Sequence, residues 1–313
     1  MTAREVQGRG CVVVGFDHHA QPARLLTIAA EEAERRGTEL AIVTILPQPH
    51  DPTQSLPNLR RDQDRAQATA LQHVHEAAVK LHPVYPSLPM TTYALTESEV
   101  SSNREPLLWA ALLVIGTHGH LGRQTVAAGS ISRLLLAGSR CPILVVPDEV
   151  APPLTVSVDA APLIVVGVGD HPADAAVVSA AYAESVGRGC EVLLLHAYDL
   201  RPGESARAGL DRARKVLDGY TAQAPAGTRV SVVVTEGEPV EALFRLAAGA
   251  CLLVIGGRTG SLSGLVRESV SQAVLESVPC PVLAVPRDLS AGPPAPISGL
   301  ILDSADPDRE PAL

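Results

Sequence analysis

Short apolar runs recur along the chain at 11–16, 39–46, 90–95, 111–116 and 142–146, each rich in Val, Ile and Leu. They are nearly continuous rather than alternating, the pattern of strands buried on both faces of a parallel sheet. Between them the apolar residues fall at helical spacing. Leu25, Ile28, Ala29 and Ala33 mark one side of a helix over 22–36, stopped by Gly37. Leu71, Val74, Ala78 and Leu81 mark another over 60–82. Shorter helices are predicted at about 104–110 and at 129–138, the latter from Ile131, Leu134 and Leu135. Strands alternating with helices imply right-handed crossovers and a doubly wound α/β layer.

The pattern then repeats. Val12–Asp17 is answered by Val165–Asp170, Gly37–Pro47 by Gly189–Asp199, Leu112–Gly116 by Leu252–Gly256, and Cys141–Pro147 by Cys280–Pro286. Four matches in one order mean two tandem copies of a five-stranded parallel-sheet α/β domain. The expected limits are a first domain over 1–150, a linker over 151–162 and a second domain over 163–287. The Pro-rich, acidic tail, 288–313, has the composition of a disordered segment. The 313 residues suit two domains.

Composition narrows the function classes. Aromatics make up 3% of the chain, so both cores must be aliphatic. A net charge of −9 argues against nucleic acid as a partner. The start, MTAREVQGRG, has no apolar secretory segment, and the longest apolar run, Leu107–Ile115, falls short of the roughly 20 residues a bilayer span needs. A soluble cytoplasmic protein without a membrane partner is expected. The five cysteines show no metal-ligand spacing and read as small buried thiols.

The stretch Gly116–Ser132 carries the candidate chemistry. It leaves a strand and enters a helix with the spacing Gly116-x2-Gly119-x9-Gly129-Ser130. Ligands of open parallel sheets bind beyond the carboxyl ends of strands where strand order switches. Gly116 and Gly119 let the backbone approach a ligand closely. Gly129 and Ser130 stand at a helix N-terminus, where free N–H groups and the helix dipole favour phosphate, and Ser130 adds a hydroxyl. Asp17, ending the first strand on the same edge, is placed to accept from a ribose hydroxyl. A mere packing turn is the competing reading of the glycines.

These residues resemble the universal stress protein family, whose ATP-binding members carry Gly-x2-Gly-x9-Gly-Ser/Thr. The resemblance covers about 9–148 and 161–287 and includes both Cys-Pro-Ile/Val-Leu-x-Val strands. It implies flavodoxin-like layering of the adenine nucleotide alpha hydrolase type. It also implies an ATP site, with Mg²⁺ as an accompanying ion, formed by Asp17, Ile45, Gly116, His118, Gly119, Gly129, Ser130, Ile131 and Ser132. Ile45 would meet adenine through its backbone. In the family the last strand mediates dimerisation. Apolar edges also invite association, so Ile143–Val146 and Val282–Val285 are expected to pair within one chain as a pseudo-dimer. Whole-chain dimers through other faces stay open.

The chain departs from the family pattern in several places. His18–His19 replace the usual Gly-Ser after the first aspartate, and Gly-x-Pro survives as Gly237-Glu238-Pro239 in the second copy alone. In the second copy Glu268 falls on the final loop glycine, where a carboxylate repels phosphate. There Gly169 takes the place of Asp17 and Asp170 follows. The second copy therefore reads as a retained scaffold.

His18, His19, His118 and His120 lie beyond neighbouring strands. They fit a divalent metal site with Asp17, contacts to nucleotide phosphates, or solvated loop residues. His196 and Arg123 likewise have structural and ligand readings. No P-loop, nucleophile elbow or metalloprotease motif appears, and no general base is evident. Three functions follow: an ATP-binding stress-response regulator read by a protein partner, an interaction scaffold without nucleotide, and a weak ATPase.

Overall fold

The computed structural model describes residues 10–17, 23–46, 56–96, 110–117, 141–147, 161–257 and 280–286. The first half contributes β1 (Val12–Gly15), α1 (Ala23–Arg36), β2 (Leu40–Leu46), α2 (Leu56–Leu81), β3 (Met90–Thr96), β4 (Leu112–Gly116) and β5 (Ile143–Val146). The second contributes β6 (Leu163–Val168), α3 (Asp174–Arg188), β7 (Glu191–Tyr198), α4 (Ala206–Thr221), β8 (Val230–Glu236), α5 (Pro239–Ala247), β9 (Leu252–Gly257) and β10 (Val282–Pro286). The helix expected at 129–138, and nearly all of that at 104–110, lies outside the described residues.

All ten strands join one sheet in the order β3-β2-β1-β4-β5-β10-β9-β6-β7-β8. Within each half every pairing is parallel. The halves meet where β5 and β10 run antiparallel, with Val282 opposite Val145, Leu283 opposite Leu144 and Ala284 opposite Ile143. The two apolar edges expected to pair do so, each satisfying the backbone groups the other would have exposed.

Strand side chains alternate between two aliphatic cores, as a strand period of two requires. Val12, Val14, Leu40, Ile42, Leu144, Leu283 and Val285 face one side, together with α1, α2 and α3. Val13, Ala41, Ile115, Val145, Val282 and Ile255 face the other, with α5. The first core runs through the β5–β10 seam from α1 to α3 without a break. Glycine ends both of these helices in the left-handed region: Gly37 has φ 61° and Gly189 φ 65°. Thr38 N–H then donates to Ala33 C=O at 3.0 Å and Cys190 N–H to Ser185 C=O at 3.1 Å, closing the last turns.

Two sequence expectations need correction. α2 begins at Leu56, four residues before position 60, because Pro57 is tolerated in a first turn, where its missing N–H costs nothing. The sequence also sets the first strand in two registers, with Val165 on Val12 but Gly169 on Asp17, and the pairing keeps the second. Val12 lies opposite Leu40 and Leu112, while Ile164 lies opposite Val192 and Leu252. Val12 therefore matches Ile164 rather than Val165, and Gly15 matches Gly167. A run of valines does not fix its own register, whereas pairing with two neighbours does.

All five cysteines are free thiols, and Cys251 alone is more than slightly exposed. Cys190 and Cys251 bring their sulfurs to 3.3 Å. Among the described residues no helix is long and apolar enough to cross a membrane.

Candidate functional site

Strand order reverses between β1 and β4: the chain runs outward from β1 to β2 and β3, then returns to β1's other side with β4 and β5. The carboxyl ends of β1 and β4 therefore flank the crevice where parallel sheets take ligands. Val14, opposite Val114, is the last residue of β1 paired with β4, and Asp17 and Thr117 each follow three residues on. Gly116 ends β4 opposite Val146, and Thr117 N–H donates to Val146 C=O at 3.2 Å. This holds the start of the glycine loop on the edge that Asp17 shares.

Ile45 sits in β2 with its side chain buried. Leu40 N–H donates to Pro89 C=O on the β3 side, whereas Val12 and Phe16 donate to the carbonyls of Glu39 and Val43. Even-numbered residues of β2 thus direct their main-chain groups to β3 and odd-numbered ones to β1. The β1–β2 register ends with Gly15 opposite Val43. Ile45 lies two residues past it, its N–H and C=O on the β1 side of the strand, where β1 has already ended. The sequence-predicted residues His118, Gly119, Gly129, Ser130, Ile131 and Ser132 lie outside the described residues. So do His18, His19, His120, Arg123 and Glu268.

The matching edge of the second half is built differently. Counting from the strand register, Gly169 occupies the position of Asp17. The turn behind it is held by Asp174, a residue the sequence reading did not single out. This almost fully buried carboxylate accepts from Gly169 N–H at 2.8 Å and from His171 N–H at 3.4 Å. The same count falls on Pro22 in the first half, which has no acid at that position. The signal was in the sequence as an Asp at a helix start, where a carboxylate meets free N–H groups.

His196, in β7, is buried, and its Nδ1–H donates to Val168 C=O at 2.9 Å. Its Nε2 lies 3.5 Å from Asp170 Oδ1. His196 is thus a core residue, in line with its structural reading, and its bond ties β7 to β6. Tyr198, matching Leu46, is covered by Arg212, whose guanidinium lies 6.0 Å from the ring centre. Arg212 in turn donates to Glu204 at 3.0 and 3.1 Å. These bonds, with one from Arg201 N–H, hold the Glu204 carboxyl down to about 2. Carboxylates and a clamped arginine thus stand at the edge that corresponds to the one carrying Asp17 and the Ile45 backbone in the first half. Among the described residues no group of three or more His, Cys, Asp or Glu side chains is gathered to hold a metal ion.

The chain matches the family described as the universal stress protein family over residues 10–147 and again over 163–286. It belongs to that family. A universal stress protein of Mycobacterium tuberculosis is 26% identical over 312 residues, covering 88% of this chain and 96% of its own length. The crystal structure of a universal stress protein from Archaeoglobus fulgidus matches the fold with a TM-score of 0.61 at 15% identity, over 90% of this chain and 98% of that one. Two further solved members carry nucleotides. One is in complex with cAMP (22% identity, 41% of this chain and 98% of that one, TM-score 0.32). The other, from Archaeoglobus fulgidus, is in complex with dAMP (16%, 40% and 96%, TM-score 0.30). Membership of the family thus rests on both halves of the chain, and nucleotide binding is a property of some of its members.

Proposed function

We propose that this universal stress protein is an ATP-binding regulatory protein, with the nucleotide in the first half between the end of β1 and the loop that follows β4. What supports this reading is that β2, β1 and β4 are neighbours at the switch in strand order, so that the Ile45 main chain, Asp17 and Gly116 belong to the same edge of the sheet. Each suits a different part of the ligand. The Asp17 carboxylate accepts from ribose hydroxyls. The Ile45 amide and carbonyl match the donor and acceptor edge of adenine. Gly116 opens the Gly-x2-Gly-x9-Gly-Ser loop, whose amides and Ser130 hydroxyl suit the phosphates. Mg²⁺ would come with the phosphates, as this ion usually does.

The second half serves as structural partner, supported by Asp174 on the backbone amides after β6 and by Glu268 in the broken loop. A protein partner would then read the liganded state, since a ligand shifts a conformational balance only by binding one state better.

The test is to purify the chain without added nucleotide, extract bound small molecules and identify them by mass spectrometry. Titration of stripped protein with Mg-ATP follows, read by thermal shift. ATP in the extract and a raised melting temperature, both lost in Ser130→Ala and Asp17→Ala, are expected. A folded chain that carries no nucleotide and shows no shift with Mg-ATP refutes the reading and leaves an interaction scaffold. Turnover of ATP lost with the same substitutions would make the chain an ATPase instead.

A further inference from the structure

The cap glycines Gly37 and Gly189 align α1 with α3 residue by residue. Counting back from them, Arg36 matches Arg188, Glu32 matches Glu184, and Arg35 matches Gly187. These residues meet across the seam. Arg36 donates through Nη2 to Glu184 Oε1 at 2.6 Å, and Arg188 donates through Nη2 to Glu32 Oε1, the same contact seen from the other half. Each arginine also bonds the glutamate of its own helix: Arg36 Nε to Glu32 Oε2 at 3.3 Å, Arg188 Nε to Glu184 Oε2 at 2.9 Å. Both carboxylates are buried, at 3% and 5% exposure. Burial disfavours the charge on Arg188, but Glu32 and Glu184 outweigh it and raise its pKa.

The symmetry breaks at one position. Arg35 lays its guanidinium across the contact, donating to Glu32 and, at 2.6 Å, to Glu184 Oε2. It has room because its counterpart is glycine: a Cβ on Gly187 would stand 2.8 Å from Arg35 Nη1. Three arginines thus share two carboxylates. Two first halves placed together in this way would bring four arginines to two carboxylates, with Arg35 driven against Arg35. Gly187 is itself exposed, but a Cβ there already meets the Arg35 guanidinium, so an arginine at this position sets like charge beside a group that two carboxylates hold in place.

We infer that this contact selects the partner of the first half: its α1 surface fits a half with glycine at the position of Arg35 and rejects a second copy of itself. The β5–β10 pairing cannot make that distinction, because Ile143–Val146 and Val282–Val285 are near-equivalent aliphatic strands. The buried charges supply specificity where the strands supply area.

The experiment uses the full chain. Gly187→Arg installs, within the intact protein, the residue that a second first half would present. Arg35→Gly removes its opponent, and the double variant R35G/G187R moves the arginine to the other side of the contact. G187R exchanges a helix glycine for a good helix former, so helix propensity alone predicts a higher melting temperature. The inference predicts a fall of at least about 4 °C. The double variant, in which the glycine and arginine have changed places, should return to within about 2 °C of the parent. A G187R chain as stable as the parent would overturn the inference. So would a double variant no more stable than G187R, which would show that the strands alone choose the partner.

Discussion

Leu144 and Leu283 face each other across the seam, at 2% and 3% exposure, in the one core that runs from α1 to α3. Truncating either to alanine removes three buried carbons, about 2.4 kcal/mol of transfer free energy at roughly 0.8 kcal/mol each. The cavity left in the core between the sheet and its helices adds to this, for a cost of about 3–4 kcal/mol per substitution. Because the two leucines are direct neighbours, L144A/L283A opens one shared cavity. Its cost should differ from the sum of the singles by at least about 0.5 kcal/mol. Urea unfolding followed by far-UV circular dichroism gives these values, with Val232→Ala as control. Val232 is 45% exposed on β8 and should change stability by no more than about 0.5 kcal/mol. The continuous core also predicts that parent and variants unfold in one transition rather than two. A cost below about 1 kcal/mol for Leu283→Ala, or two separate transitions in the parent, would refute the view that the seam is core.

Three further outcomes are expected. Glu204 has its carboxyl held down to about 2 from 4.5 by Arg212 and Arg201 N–H. Its contribution is therefore present above about pH 4.5 and lost as pH falls toward 2. Glu204→Gln should accordingly lower the urea midpoint at pH 7 and match the parent near pH 2, and a constant gap across that range would count against the clamp. Burial pushes the Cys11 thiol up strongly and Cys280 up to about 12. Iodoacetamide at pH 8 should leave both unmodified in the folded chain and alkylate them in urea, as read by mass spectrometry; rapid native labelling of Cys280 would contradict its burial. In α4 a Cβ on Gly209 would meet the Tyr198 ring at 2.9 Å, while Gly219 has nothing within 4 Å. Gly219→Ala should raise the melting temperature and Gly209→Ala lower it, despite equal gains in helix propensity; equal shifts would exclude the close approach.

Much of the fold could be read from the chain because each strand announces itself as a β-branched run and each copy checks the other. The edge pairing of Ile143–Val146 with Val282–Val285 was expected from the apolar run that ends each copy and from the family resemblance together. What escaped were features whose sequence signal is ordinary. Glu32 and Arg36, four apart, look like a solvated helix pair, and nothing local marks them as buried beneath a second helix that lies 152 positions on (184 − 32). Asp174 reads as a common helix-start acid until Gly169 N–H is found on it. The first turn of α2 carries no apolar periodicity, so Leu56–Leu59 blended into the preceding loop. At the candidate site, Gly116 came from motif spacing and Asp17 from its place at the end of the first strand and the family resemblance. The direction of the Ile45 main chain needed the hydrogen-bond alternation of β2, which a list of residues does not contain.

The covalent link between the halves has a consequence for how the ten-stranded sheet responds to abundance. In a two-chain assembly the β5–β10 contact would dissolve on dilution, and its occupancy would report how much protein is present. Here the contact forms within a tether, at an effective concentration set by the linker rather than by expression level. Closing the sheet is thus a unimolecular step, as complete in a nearly empty compartment as in a crowded one. The chain's own copy number therefore cannot open or close the seam.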